Sequence, residues 1–306
     1  MSAINQTDCT NILKYHVQSL AGEIGERHTG RHHALQQAAD YISRQWLAMG
    51  YEVERQAFKA RGKDVENLQV TRRGVKSPDD IILVCAHYDS AKDCPGANDN
   101  ASGIAALLEL SRYFARVDPD RSVRFVALTN EKPPFHGTEK SGSWIYAHQA
   151  RQRSDNIRSA VILESLGYYN NTLGSQLYPA LMGAFYPKQA NFVAMTSNLA
   201  SMRTMHRFAR CFKKHCSLLC EPMIAPNFLP WVKWSDNSPF WLNGYHAFMV
   251  SDTSLYRYPF YNSPRDTPEK IDYQCLTFVT VGLAETLEAY AKQRSKNPDR
   301  VTPVGS

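Results

Sequence analysis

His87, Asp89, Asp99, Glu131 and Glu164 are the residues of this chain whose types and places suit them to chemistry. Three of them follow apolar runs: IILVCA precedes His87, VRFVAL leads to Thr129, Asn130 and Glu131, and AVIL precedes Glu164. A continuous apolar run is the pattern of a strand buried on both faces. In a parallel sheet the carboxyl ends of such strands share one edge, and ligands bind there, where strands give way to helices. A histidine nitrogen with carboxylate oxygens is a donor set suited to zinc, and three protein ligands plus water is the catalytic arrangement. A free carboxylate beside such a site can take a proton from water. Asp89, two residues after His87, is placed to orient the imidazole ring from behind. Each of these residues also has an ordinary use, as a helix cap or an arginine partner. Their recurrence along one sheet edge favours the chemical reading.

The elements that must position these residues can be read from periodicity. The sequence predicts a helix over 11–47, where Ala34, Leu35, Ala38, Ala39, Ile42, Trp46 and Leu47 recur at helical spacing. Strands are expected over 51–60, 67–72, 81–86, 122–129, 160–163, 191–196, 219–224 and 247–250. Helices are expected over 102–115, 141–152, 200–214, 238–242 and 268–292. Irregular stretches over 174–190, 226–234 and 256–267 carry many aromatic and proline residues, and the tail 297–306 reads as frayed. The strand–loop–helix alternation predicts an α/β sandwich with a largely parallel sheet. With no linker and no internal repeat, the expectation is a single domain over 1–306.

Bulk composition narrows the function classes. The chain has 306 residues, 43% hydrophobic and 21% charged, with a net charge of +6 spread along it. These are the proportions of a soluble globular protein. Short basic clusters such as Arg72–Arg73 read as solvated faces, and no nucleic-acid-binding motif is present, so no nucleic-acid partner is expected. No apolar run reaches membrane-spanning length, so no membrane partner is expected either. The first residues lack a basic start followed by an apolar core, so the expected location is cytoplasmic, or secreted or periplasmic if a leader has been removed. Seven scattered cysteines fit reduced thiols. Cys216 and Cys220 are either a local disulfide or two small apolar residues.

Several stretches resemble one known family along nearly the whole chain. AHYDS and PGANDNASG (86–90 and 95–103) are similar to the first metal motif of the co-catalytic zinc aminopeptidases, the bacterial leucyl aminopeptidase and aminopeptidase S type. FVALTNEKPPFHGTEKSGS resembles the family's catalytic carboxylate motif, and ILESLGYY, WSDNSPFW and VSDTSLYRYPFYNSPRDTP resemble its later ones. The family's leading helix is matched by Ile24 to His28 and Ala38 to Ile42. Glutaminyl cyclases and the transferrin-receptor ectodomain share the fold. The resemblance implies a three-layer α/β sandwich with a central, mostly parallel, twisted sheet. It makes His87 and Glu164 ligands of one metal, Asp99 the carboxylate bridging two metals, and Glu131 the general base with Asp89 beside it. It places Asp236, Asn237, Asp252 and Tyr256 around the metals or in the substrate pocket. The family sometimes carries a disulfide near the spacing of Cys216 and Cys220.

Two departures bear on the metals. Lys132 stands where the family has a second glutamate, and Asn262 where it has a histidine. A protonated lysine has no lone pair to donate and repels a nearby cation. The implied second metal site is therefore degenerate, and the expectation is zinc at one ion per chain at most, or none. Asn237 also replaces a histidine common between Asp236 and Ser238. Three functions stay open: a one-metal hydrolase acting on the N-terminal end of peptides or on aminoacyl compounds, an inactive relative that serves as a binding or structural protein, and acyl transfer of the glutaminyl cyclase kind. The last is weakest, because its chemistry would use the disrupted site. Phe185, Tyr186, Trp231, Trp234, Tyr256, Tyr258 and Phe260 suggest either an apolar pocket wall or loop packing.

Overall fold

The computed structural model describes residues 4–179, 182–225 and 236–292. The stretch 226–234, with Trp231 and Trp234, and the tail 297–306 lie outside the described residues. Eight strands form one sheet: β1 Glu54–Ala60, β2 Lys63–Arg72, β3 Ser77–His87, β4 Arg121–Leu128, β5 Asn156–Glu164, β6 Phe192–Ser197, β7 Leu219–Ile224 and β8 Ala247–Ser251. Their order is β1-β2-β4-β3-β5-β8-β6-β7. The central pairs β4·β3, β3·β5 and β5·β8 are parallel, as is β6·β7, while β1·β2, β2·β4 and β6·β8 are antiparallel. The expected α/β sandwich is present, with antiparallel pairing confined to the two flanks.

The central strands explain the layering. Side chains alternate between the faces of a strand, and on β3 the face of Ile82, Val84 and Ala86 joins one core while Ile81, Leu83 and Cys85 join the other. The first core is covered by α1 Gln6–Val17, α2 His32–Ala48, α3 Gly103–Phe114, α5 Met202–Phe212 and α7 Tyr273–Lys292. The second is covered by α4 Gly142–Gln152 and α6 Ser238–Leu242. No helix among the described residues is long and apolar enough to cross a membrane.

Some expected bounds need correction. The continuous helix over 11–47 is broken: α1 runs into a π-helical turn, Gln18–Ile24, which ends at Gly25 with φ of 76°, a left-handed conformation open to glycine. β5 begins four residues earlier than its apolar run, because Asn156 and Ile157 already pair with Asp80 and Ile81 of β3. All seven cysteines are free thiols. Cys216 Sγ donates to the Phe278 carbonyl at 3.4 Å, and Cys220 is buried on β7.

The break before α2 has a structural use. It sends Arg27 into the interior, fully buried. The guanidinium donates to the carbonyls of Tyr88 at 2.7 Å, Gly25 and Gly96 at 2.9 Å, Leu20 at 3.2 Å, and Pro95. The planar fork thus ties the end of β3 to the loop ahead of Asp99. Gly96 is needed in that loop: its φ is 66°, and a Cβ there would meet the Asp99 carbonyl at 2.6 Å. Burial lowers the Arg27 pKa to about 10, so the cation persists at neutral pH. Arg27→Met would strand several buried carbonyls, each costing about 1–3 kcal/mol. We expect a loss of at least about 3 kcal/mol in urea unfolding at pH 7; a change below about 1 kcal/mol would show that the clamp is dispensable.

Candidate active site

Register brings the chemistry together. His87 pairs with Leu128, Ala86 with Leu163 and Glu164 with Ser251, so β3, β4, β5 and β8 end side by side. Just past those ends the backbone turns through left-handed residues: Asn130 at φ 59°, Ser165 at 52° and Thr253 at 70°. Such conformations are uncommon outside glycine and gather where a site requires them. His87, Asp89, Asp99, Glu131, Lys132, Glu164, Asp236, Asn237 and Asp252 are all buried at this edge.

His87 is held by its own strand end. Its Nδ1 lies 3.0 Å from the main-chain carbonyl of Asp89 and 3.4 Å from the Asp89 carboxylate. Both are acceptors, so Nδ1 carries a proton, and Nε2 points into the site toward Asp99 and Glu164. Asp89 also accepts the main-chain N–H groups of Glu131 at 3.2 Å and Lys132 at 3.1 Å, joining the ends of β3 and β4. Burial opposes the Asp89 charge, yet His87 and these N–H groups hold its pKa below the ordinary value.

On the other side of the ring, His87 Nε2 is 3.2 Å from Asp99 Oδ1 and 3.3 Å from Glu164 Oε2. Lys132 Nζ donates to Asp99 Oδ2 at 2.7 Å and to Glu164 Oε1 at 3.5 Å. The Tyr261 ring lies 5.8 Å from the same ammonium. Burial alone would favour neutral lysine, but Asp99, Tyr261 and Glu164 raise its pKa well above the ordinary value. Burial likewise opposes charge on His87, and Glu164, Asp89 and Asp99 outweigh it and raise that pKa too. Asp99 responds in kind: burial opposes its charge, while Lys132 and His87 hold its carboxyl far below the usual range.

Glu131 sits at the start of α4. Its Oε1 accepts the Ser143 N–H at 2.5 Å and its Oε2 the Ser143 hydroxyl at 2.8 Å. Burial and the nearby Asp89 charge raise its pKa to about 7, against the pull of Ser143 and His87. That value places the carboxyl where it can both take and return a proton near neutrality. Asp236 is raised well above its ordinary value by burial and by Glu131 and Glu164. Among the described residues, Asp236 Oδ2, Glu164 Oε2 and Asn237 Oδ1 are buried without a hydrogen-bond partner. One donor atom from each of His87, Glu164 and Asp236 lies within 4.8 Å of the others, the only such group of three among the described residues.

A cavity of about 350 Å³ opens from this edge. Glu164, Asp236 and His136 line its polar end, while Ile224, Trp241, Met249, Leu255 and Tyr256 line its wall. Of the other aromatic residues singled out from sequence, Phe185 is 83% exposed and Tyr258 is buried, donating to Asp266. Tyr186 stacks on Tyr178, and Phe260 lies under Arg265.

The model of peptidase family M28 matches residues 67–287. The chain belongs to that family. It is similar to the uncharacterized protein YfbL of Escherichia coli K12, 30% identical over 262 residues, which span 83% of this chain and 80% of that protein. Its fold is similar to that of the aminopeptidase from Aneurinibacillus sp. strain AM-1, with a TM-score of 0.72 at 15% identity over 97% of this chain and 96% of that one. It is also similar to BSAP, a zinc aminopeptidase from Bacillus subtilis, with a TM-score of 0.70 at 15% identity over 95% and 97% of the two chains. At such identities the likeness is one of fold. Within the family, zinc is the metal named for relatives and structural neighbours alike.

Measured against that family, this M28 chain has one donor set that suits zinc and one position that does not. A histidine nitrogen and two carboxylates with buried, unpaired oxygens suit a single zinc ion. The space between Asp99 and Glu164 already contains an ammonium. Asn262, expected in the second site, is exposed, with φ of 50°. Asparagine is at ease in that left-handed turn, so backbone geometry explains its presence and the buried cluster does not include it. Asp252 accepts from Asn98 Nδ2 at 2.8 Å and from the Tyr168 N–H at 2.9 Å, a tie between loops. Asp266 does similar work, accepting the Asn98 N–H at 2.8 Å and the Asp99 N–H at 3.2 Å. Ser143, Tyr261, His136 and Asp266 went unnamed in the sequence reading. Ser143 alone carried a signal, as a small polar residue opening the helix after Glu131.

In metal-free protein the ammonium is the partner that keeps Asp99 ionised in a dry site. Lys132→Met should therefore cost about 3–5 kcal/mol, the usual penalty for stranding one member of a buried pair. Urea unfolding after chelator treatment measures it. A loss below about 1 kcal/mol would mean that water or another group replaces the ammonium.

Proposed function

We propose that this chain is a one-metal hydrolase acting on the N-terminal end of peptides, with Glu131 as its base. The observation that carries the reading is Glu131 fixed by two hydrogen bonds from Ser143, near a donor group whose Glu164 and Asp236 line an apolar cavity. The chemistry zinc supplies when bound is Lewis-acid polarisation of the scissile carbonyl and acidification of water. The protein residues do the rest. His87 presents Nε2 because Asp89 holds the proton on Nδ1. Glu131, with its pKa raised to about 7, takes a proton from the attacking water and returns it to the leaving amine. Lys132 is a fixed positive charge that does not depend on a second metal, able to stabilise an oxyanion near Asp99. The cavity excludes water around one apolar side chain of the substrate.

One observation favours the alternative of an inactive binding protein. Lys132 Nζ lies between Asp99 and Glu164, and Asn262 is exposed and outside the buried cluster. Zinc analysis of protein purified without chelator, followed by leucyl-anilide hydrolysis, separates the two. We expect no more than one zinc per chain. Glu131→Gln should lower kcat by about 10²- to 10⁴-fold while leaving zinc content unchanged. Two zinc ions per chain would refute the one-metal reading. Turnover in the wild type no greater than in Glu131→Gln would leave the binding-protein reading standing.

A further inference from the structure

The expected ligand set for the retained metal was His87, Asp99 and Glu164. The geometry redistributes those carboxylates. Asp99 turns Oδ2 to the Lys132 ammonium at 2.7 Å, its Oδ1 lies 3.2 Å from His87 Nε2, and its main-chain N–H is bound to Asp266 at 3.2 Å. Glu164 divides its two oxygens: Oε1 faces Lys132 at 3.5 Å, and Oε2 faces His87 Nε2 at 3.3 Å without a hydrogen bond. Asp236 comes from a different part of the chain, just before α6, and is only 6% exposed. Among the described residues its Oδ2 has no hydrogen-bond partner. A buried carboxylate oxygen with no donor is costly and calls for a cation or a proton. The group of three donors within 4.8 Å is His87, Glu164 and Asp236, and Asp99 is not part of it.

We infer that the third protein ligand of the single metal is Asp236, with Asp99 withdrawn to serve as the counter-ion of Lys132. This rests on the one-metal reading above and goes beyond it by naming which carboxylate holds the ion. The arrangement separates two positive charges within one site. The ammonium takes Asp99 Oδ2 and Glu164 Oε1, while the metal takes His87 Nε2, Glu164 Oε2 and Asp236. Glu164 then lies between the two cations and screens each from the other. A carboxylate at position 236 compensates for the charge that Asp99 gives to the lysine. The ligand set stays at one imidazole and two carboxylates, which suits zinc or cobalt(II).

The test uses the full chain, stripped with chelator and titrated with cobalt(II), read by visible absorption, and with zinc in competition against a chromophoric chelator. Three proteins are compared: wild type, Asp236→Asn, and the double variant Asp99→Asn with Lys132→Met. The double variant removes one positive and one negative charge together, so the net charge of the site is unchanged, and His87 and Glu164 still face each other. Circular dichroism confirms that each is folded. Should Asp236→Asn fail to fold, Asp236→His takes its place, expected to keep cobalt but with an altered absorption spectrum. Wild type should bind one ion. Asp236→Asn should weaken zinc by more than about 100-fold, beyond the roughly 10- to 100-fold effect of residues that only support a ligand. The double variant should stay within about tenfold of wild type. Loss of binding in the double variant, whether or not Asp236→Asn also loses it, would make Asp99 a ligand and overturn the inference. So would unchanged affinity in Asp236→Asn, or an unchanged spectrum in Asp236→His. A wild type that binds no ion would overturn both this assignment and the one-metal reading beneath it.

Discussion

The ion pair between Lys132 and Asp99, 2.7 Å apart and shut away from water, is the constraint around which this site is arranged. A buried ammonium is tolerable only if carboxylates surround it, and a buried carboxylate only if something positive answers it. Lys132 satisfies Asp99 and one oxygen of Glu164 at once. His87 turns to the other oxygen of Glu164 and to Asp99, and is itself backed by Asp89. The interlocking charges explain why His87 and Lys132 titrate high and Asp99 low. They also place an ammonium between Asp99 and Glu164, while among the described residues Asp236 Oδ2 and Glu164 Oε2 have no hydrogen-bond partner.

Holding so many charges at one edge requires rigid support, and the parallel centre of the sheet provides it. Strands β3, β4, β5 and β8 deliver their carboxyl ends in register, and the loops beyond them are bound to one another more than to solvent. Asp89 joins β3 to β4, Asp252 and Asp266 hold Asn98, and Arg27 fastens the loop leading to Asp99 through backbone carbonyls. Most of these ties use a charged side chain against main-chain groups. Such bonds are stronger than neutral ones and geometrically specific, so the donors around His87 are positioned before any ligand arrives.

Glu131 is treated differently from its neighbours. Among the described residues its carboxylate is bonded by Ser143 and by no cation, while burial pushes its proton affinity up to about 7. Carboxyls a short distance apart thus have opposite behaviour. Asp99, paired with an ammonium, stays ionised; Glu131, lodged against uncharged donors, exchanges its proton near neutral pH. Divergent environments for neighbouring acids are the usual way one site separates a structural charge from a proton shuttle. The apolar cavity lies on the side of Glu164 and Asp236, where a bound side chain would exclude water from the same edge.

Much of this was legible in the sequence by itself. The largely apolar runs before His87, Glu131 and Glu164 specified buried strands ending in chemistry, because a strand buried on both faces is mostly hydrophobic and its polar residues gather toward its ends. The motifs around them pointed to the family, and Lys132 stood out because an ammonium cannot donate electrons to a metal. What the sequence could not decide was which carboxylate answers which cation. That depends on distances of an ångström or two between loops far apart in the chain: Asp99 beside Lys132, Asp236 across from Glu164, Ser143 under Glu131. Asn262 shows the same limit, since the family resemblance suggested a lost ligand there, while its exposed left-handed turn gives it a backbone role. Periodicity and residue type are properties of short stretches and determined the elements. The assignment of charges in a dry site is a property of the assembled edge, because Coulomb energy depends on distance and burial, and only the tertiary structure sets those.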